Sequence, residues 1–225
     1  MKQSTSEFED VQAAGSGGTL VSTGPKLSDL GLFMKKFFKK GLTISSIVPS
    51  SPALVNMVVG NVDFSRPATI VEVGAGTGAI TELIAERLRP HHRFVACEND
   101  ADFCRVLHRR FPGIPLIPGD VGDIAGPLAS MGIKKVDYVL SGLPTPNLPK
   151  RSLMRMMNWL RDSLSENGLF VQITEVPYYF QRFYDRFFEN VEFQMVLMNI
   201  PPGGVYRCSH PRRRIDTPNI SACAI

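Results

Sequence analysis

Val71-Glu72-Val73-Gly74-Ala75-Gly76-Thr77-Gly78-Ala79-Ile80-Thr81 is the stretch that decides the fold. A β-branched run stops at Val73, glycines follow at 74, 76 and 78, and a helical pattern starts at once. Glycines here let the backbone turn tightly and approach a ligand with no Cβ in the way. A strand, a glycine turn and a helix in that order open an α/β unit, whose ligands sit at the carboxyl ends of the strands. The string by itself leaves a dinucleotide site, a methyl-donor site and a purely structural turn open.

Outward from the loop, apolar runs alternate between strand and helix character. ATIVEV (68–73), RFVACE (93–98), IPLI (114–117), VDYVLS (136–141) and GLFVQITEV (168–176) read as strands. Residues 78–88, 102–111, 124–131, 151–165 and an aromatic-rich 178–188 read as helices. Strands separated by helices predict a parallel sheet with right-handed crossovers. The end differs, because VEFQMVLMNI (191–200) and GVYRC meet through Pro201-Pro202-Gly203-Gly204, which predicts a terminal β-hairpin and one antiparallel strand. Upstream, Ser51 caps a helix that starts at Pro52 and runs to about Val62.

Composition bounds the rest. The 225 residues are 44% hydrophobic and 20% charged, enough for one substantial core, and no apolar stretch approaches the roughly 18 residues of a spanning helix. Residues 1–25 are rich in Ser, Gly and Thr, have no apolar period and carry acids where a secretory signal needs bases, so a disordered leader is expected. Cys97, Cys104, Cys208 and Cys223 have neither CxxC nor metal-ligand spacing, so no metal site is expected and a reducing cytoplasm fits. Leu27, Leu30, Phe33, Met34, Phe37 and Phe38 recur at helical spacing, with Lys35, Lys36, Lys39 and Lys40 on the opposite arc. This basic amphipathic helix, about 27–40, suits a membrane surface, its own domain or RNA phosphate. The expected organisation is a leader, a domain over 26–210, and a basic flexible tail over 211–225 containing Arg212 to Arg214.

Two acids narrow the ligand. Glu98 ends the second strand, where a carboxylate accepts from the two hydroxyls of a ribose, and Gly119-Asp120-Val121 follows the third, where Asp120 can accept from an adenine amine while Val121 packs on the ring. The dinucleotide pattern wants a third glycine where this chain has Ala79. Asp123, just before an apolar run, is expected to cap the next helix.

Together these residues resemble the signature of class I S-adenosylmethionine-dependent methyltransferases. The resemblance implies their Rossmann-like fold, with a seven-stranded mostly parallel sheet, a terminal hairpin and extra N-terminal helices. It assigns Glu72 to orienting the loop and the methionine end of the donor. It carries donor contacts onto Ser50, Ser51, Gly74, Ala75, Gly76, Thr77, Gly78, Glu98, Asn99, Gly119, Asp120, Val121 and Ser141.

Two related families compete for the acceptor. Ribosomal RNA adenine dimethylases are similar through the Pro-Ser-Ser helix, the glycine loop, Glu98 and Gly119-Asp120. They carry Asn-Leu/Ile-Pro-aromatic after the fourth strand, and this chain has Gly142 and Thr145 at the Asn and aromatic places. Bacterial phospholipid N-methyltransferases, which convert phosphatidylethanolamine towards phosphatidylcholine, are the closer resemblance. It rests on Val48-Pro49-Ser50-Ser51, VEVGAGTGAIT, CENDADFCRVLHRRFPG, Gly119-Asp120, Ser141-Gly142-Leu143-Pro144 and Pro201-Pro202, and it covers about 28–208. It implies methylation of phosphatidylethanolamine at the cytoplasmic membrane face, with Ser141, Gly142 and Leu143 at the acceptor. Tyr178 and Tyr179 are candidates for surrounding a developing ammonium with π faces. The alternative is adenine N6-methylation of ribosomal RNA.

Overall fold

The computed structural model describes residues 51–174, 180–196 and 203–213. Seven strands form one sheet in the order β3-β2-β1-β4-β5-β7-β6. They are β1 (Thr69–Val73), β2 (Arg93–Glu98), β3 (Leu116–Pro118), β4 (Val136–Ser141), β5 (Leu164–Thr174), β6 (Phe188–Val196) and β7 (Gly203–Pro211). The first five are parallel, and β7 runs antiparallel to both β5 and β6. This is the expected class I methyltransferase architecture.

The helices are α1 (Pro52–Val59), α2 (Ala79–Ala85), α3 (Ala101–Arg110), α4 (Ala125–Ser130), α5 (Lys150–Ser163) and the single turn α6 (Gln181–Tyr184). They cover both sheet faces, which is why the central strands read as continuous apolar runs. Val71, Val95, Val139 and Phe170 face a core built with Leu128, Met156 and Leu160. Ile70, Phe94, Tyr138, Leu140 and Val171 face the other, built with Leu54, Val58, Ile80 and Ile84. Ser51 caps α1 as expected, its hydroxyl accepting from Leu54 N at 3.3 Å.

The strand order reverses between β1 and β4, so their carboxyl ends diverge into a crevice. The opposite edge is tied by Asp137, whose carboxylate accepts from Thr69 N and from the Ser165 hydroxyl, each at 2.8 Å. His91 and His92 lie at that edge, where His92 Nδ1 accepts from Arg89 N.

Several expected boundaries change. The aromatic helix over 178–188 is only the turn 181–184 within the described residues, because Phe188 enters β6 and stacks on Phe170 at 5.7 Å while Tyr184 is drawn into the same core. β5 starts at Leu164 and not at Gly168, since Leu164 already pairs with Val136 before a register shift. Asp123 does not cap a helix: it ends a 3-10 turn over 121–123 and ion-pairs with Arg155. β7 continues to Pro211, and the Arg212 guanidinium donates to the carbonyls of Asp185 and Phe188. The amphipathic helix over 27–40, the expected leader and the Pro201-Pro202 link lie outside the described residues.

Candidate active site

The glycine loop is folded down onto β2. Gly74 N and Ala75 N both donate to Cys97 O, at 2.9 and 3.2 Å, and Gly76 N donates to Glu98 Oε2 at 2.8 Å. Gly74 takes φ +75° and Gly78, at the head of α2, takes φ +89°, a region where a side chain is strained. Space adds a second reason at each. A Cβ on Gly78 would stand 2.6 Å from the Phe111 ring, and one on Gly74 2.5 Å from Leu143 Cδ2. On Gly76 a Cβ would meet nothing within 4 Å, so the loop is open on that side. Arg110 spans the loop's far end, donating to Thr77 O and pairing with Glu82 at 3.0 Å.

Glu98 is 7% exposed and accepts from Gly76 N through one oxygen and from Asp100 N through the other, both at 2.8 Å. Each oxygen keeps a second lone pair, which is what a pair of ribose hydroxyls requires. Gly119 N is anchored on Glu98 O at 2.9 Å, so the turn after β3 sits beside this carboxylate. Asp120 accepts from Gly122 N at 2.7 Å and from the Ser152 hydroxyl at 2.9 Å, and Val121 is buried behind it. Asn99 is exposed next to Glu98. The open side of Gly76 and the spare acceptors of Glu98 fit the sugar of an adenosine ligand. Ser50, Tyr178 and Tyr179 lie outside the described residues.

Glu72 points into the protein at 1% exposure. Its Oε2 accepts from the Thr81 hydroxyl at 2.6 Å, which links the strand to α2 beneath the loop, and its Oε1 is buried with no hydrogen-bond partner among the described residues. Burial pushes its carboxyl up to about 8, with the Thr81 hydroxyl opposing and the charge of Glu98 reinforcing the shift. A buried acid beneath a loop suited to a cationic donor is an electrostatic counterweight that a bound cation would favour in its ionised form.

The segment after β4 closes the crevice. Gly142 N donates to Val73 O at 3.0 Å, carrying β4 one residue past the end of the sheet beside the glycine loop. A Cβ on Gly142 would lie 2.8 Å from Gly74 O, so the two turns interlock through missing side chains. Leu143 packs over Gly74, and Leu143 N donates to the Ser141 hydroxyl at 3.3 Å. The structure therefore brings Gly142 and Leu143 against Gly74 as one wall, whereas the Ser141 side chain, expected to face the ligands, is wholly buried behind it, with its hydroxyl accepting from Leu143 N.

Sequence reading missed three contributors. Thr81 and Ser152, partners of the two acids, look like ordinary helix residues. Gln172, 1% exposed on β5, donates to Leu143 O at 2.6 Å and accepts from Thr145. The available signal was a lone amide in GLFVQIT, since a polar side chain in a strand covered on both faces must have a partner.

Two outcomes follow from this geometry. Gly142→Ala forces the Gly74 carbonyl away, so calorimetry should give at least a tenfold weaker dissociation constant for S-adenosylmethionine; unchanged affinity would show that the turns are not interlocked. Glu72 holds a proton in the folded state that the unfolded chain releases, so its contribution is intact below about pH 4.5 and is lost as pH rises to about 8. Urea unfolding of Glu72→Gln should therefore gain on the native chain by more than about 1 kcal/mol between pH 5 and pH 8, and a constant difference would contradict the buried neutral acid.

The family model for ribosomal RNA adenine dimethylase matches residues 46–120, which contain the glycine loop, Glu98 and Asp120 and stop before Ser141. The chain is 42% identical over 185 residues to an ornithine lipid N-methyltransferase of Singulisphaera acidiphila, covering 81% of this chain and 96% of that protein. A probable ribosomal RNA small subunit methyltransferase A of Methanosarcina barkeri is 28% identical over 111 residues, 49% of this chain and 36% of its own length. The O-methyltransferase TomG of Streptomyces achromogenes, solved with S-adenosylmethionine, shares the fold with a TM-score of 0.57 at 17% identity, covering 85% of this chain and 92% of that one. S-adenosylmethionine is thus the cofactor, and the chain belongs to the same family of S-adenosylmethionine-dependent methyltransferases as the ornithine lipid N-methyltransferase.

Proposed function

We propose that the chain methylates an aliphatic amine on the headgroup of a membrane lipid, at the cytoplasmic membrane face. The observation that carries this reading is the 42% identity running over 96% of the ornithine lipid N-methyltransferase. Ornithine and ethanolamine both present an aliphatic primary amine, so an ornithine lipid and phosphatidylethanolamine are the two acceptors of this class. The match to the ribosomal RNA dimethylase family ends at residue 120, within the donor-binding half, and so does not speak for an RNA acceptor.

The acceptor wall supports the same choice. Gly142 and Thr145 stand where the resemblance to RNA dimethylases expects an Asn and a base-stacking aromatic. Gly142 offers no side chain to an exocyclic amine, and Thr145 is wholly buried. A flexible aliphatic amine needs no stacking partner, only a narrow approach to the methyl group and exclusion of water.

S-adenosylmethionine, when bound, would supply a methyl group on a sulfonium, the C–S electron pair staying on sulfur as an amine lone pair took the methyl. What the protein adds is placement and a low-dielectric wall. Glu98 would accept from the sugar, Glu72 and Glu98 would offset the donor's positive charge, and Leu143 with Gly142 would limit the path of approach. An aliphatic amine is an ammonium at neutral pH, so it gives up one proton to solvent to free its lone pair before the transfer, and the methylated ammonium gives up another before any further transfer. The basic segment over 27–40, whose sequence has an amphipathic period, would dock the enzyme, its lysines each contributing about 1 kcal/mol near an anionic surface.

Purified protein with methyl-labelled donor, ribosomal RNA and liposomes holding ornithine lipid, phosphatidylethanolamine and an anionic lipid should place label in extracted lipid. Label in RNA alone, or none in lipid, would overturn the assignment. With the same liposomes, changing Lys35, Lys36, Lys39 and Lys40 to Glu should abolish co-sedimentation; undiminished pelleting would refute the docking helix.

A further inference from the structure

Four polar side chains are buried together behind the acceptor wall. Ser141 and Thr145 are fully inaccessible, and Gln172 and Tyr184 are each 1% exposed. They come from β4, from the 3-10 turn over 145–147, from β5 and from α6, so the cluster joins the segment after β4 to the element that follows β5. Gln172 is at its centre. Its Nε2 donates to Leu143 O at 2.6 Å and to Ile173 O at 2.8 Å, with Ser141 O at 3.4 Å, while its Oε1 accepts from the Thr145 hydroxyl. Thr145 N also donates to Leu143 O at 2.8 Å, its hydroxyl lies 3.5 Å from Ser141 Oγ, and the buried Tyr184 lies close to its side chain.

Burying such a cluster costs desolvation, and apolar groups of the same shape would hold a core equally well. Its consequence lies in the main chain of residues 141–143. The Leu143 carbonyl accepts from Gln172 and the Ser141 carbonyl only faces it at 3.4 Å, while the intervening Gly142 carbonyl, in an exposed residue beside Gly74, accepts from no donor among the described residues. Leu143, held by its carbonyl, is the residue pressed on Gly74. Gln172 thus reaches the donor loop through Leu143 without facing the crevice itself.

We propose that Gln172, locked by Thr145 and Tyr184, is a positioning residue for the acceptor: it orients the 141–143 main chain so that the Gly142 carbonyl receives an N–H of the incoming amine. A carbonyl at that point leaves the lone pair of the amine free to aim at the methyl group, and an error near 1 Å in its position is enough to lower turnover about a hundredfold. This rests on the lipid-amine reading of the acceptor, yet the hold on the loop can be tested without any acceptor.

The test compares Thr145→Ser, which keeps the hydroxyl, with Thr145→Val and with the triple variant Thr145→Val, Gln172→Met, Tyr184→Phe, which removes the cluster's amide and two of its hydroxyls together. Three quantities are measured: the urea midpoint, amide hydrogen exchange of the peptide over 141–148, and kcat and KM on ornithine lipid in mixed micelles. The expected result is that the triple variant keeps its urea midpoint near that of the native chain. Its 141–148 peptide should exchange at least tenfold faster, and its kcat/KM should fall by about a hundredfold. Thr145→Ser should stay within a few fold of the native chain, and Thr145→Val should fall between, which decides the matter even if the triple variant does not fold. A stable triple variant with native turnover, or Thr145→Val with native exchange and native turnover, overturns the proposal. If the native protein methylates no lipid, the acceptor reading fails, and faster exchange over 141–148 still upholds the hold while unchanged exchange removes it.

Discussion

Two turns at the centre of the sheet approach so closely that neither tolerates a side chain. β1 and β4 are adjacent parallel strands, so the turns that leave their carboxyl ends start within about 5 Å of each other. Gly74 has Leu143 where its Cβ would be, and Gly142 has the Gly74 carbonyl. The donor loop and the acceptor wall are therefore one packed object, and any change in one is felt by the other. A methyl donor and a nucleophile must be brought within about 3 to 3.5 Å, and in the proposed assignment the two touching turns would supply that proximity.

The same contact lies where the chain departs from the residue pattern expected of RNA dimethylases, whose family model it matches over residues 46–120. The donor half depends on backbone turns and two acids, which suit any acceptor. The acceptor half begins at Gly142, where the interlock leaves no room for an amide side chain. Position 145, where a stacking ring would be expected, is instead turned inward to Gln172.

Much of this was readable from the residues. The parallel core announces itself through β-branched runs without polar alternation, and the glycine spacing with Glu98 and Asp120 marks the ligand end. Less legible were features set by tertiary partners. The aromatic run after residue 178 looks helical by spacing, but Phe188 is claimed by Phe170 and becomes strand. Asp123 has the look of a cap, but Arg155 reaches it from another helix. Thr145 and Gln172 carry no local pattern linking them, because they are brought together only by the pairing of β4 with β5. Their hydrogen bonds are a property of how two separate strands pair, which neither segment shows by itself.

A crystal structure with S-adenosylhomocysteine in the crevice tests the interlocked site most directly. The account predicts the sugar hydroxyls on Glu98, the ligand along the open side of Gly76, and Leu143 still seated on Gly74. A ligand bound elsewhere, or bound here only with Leu143 withdrawn and the two turns parted, would contradict it.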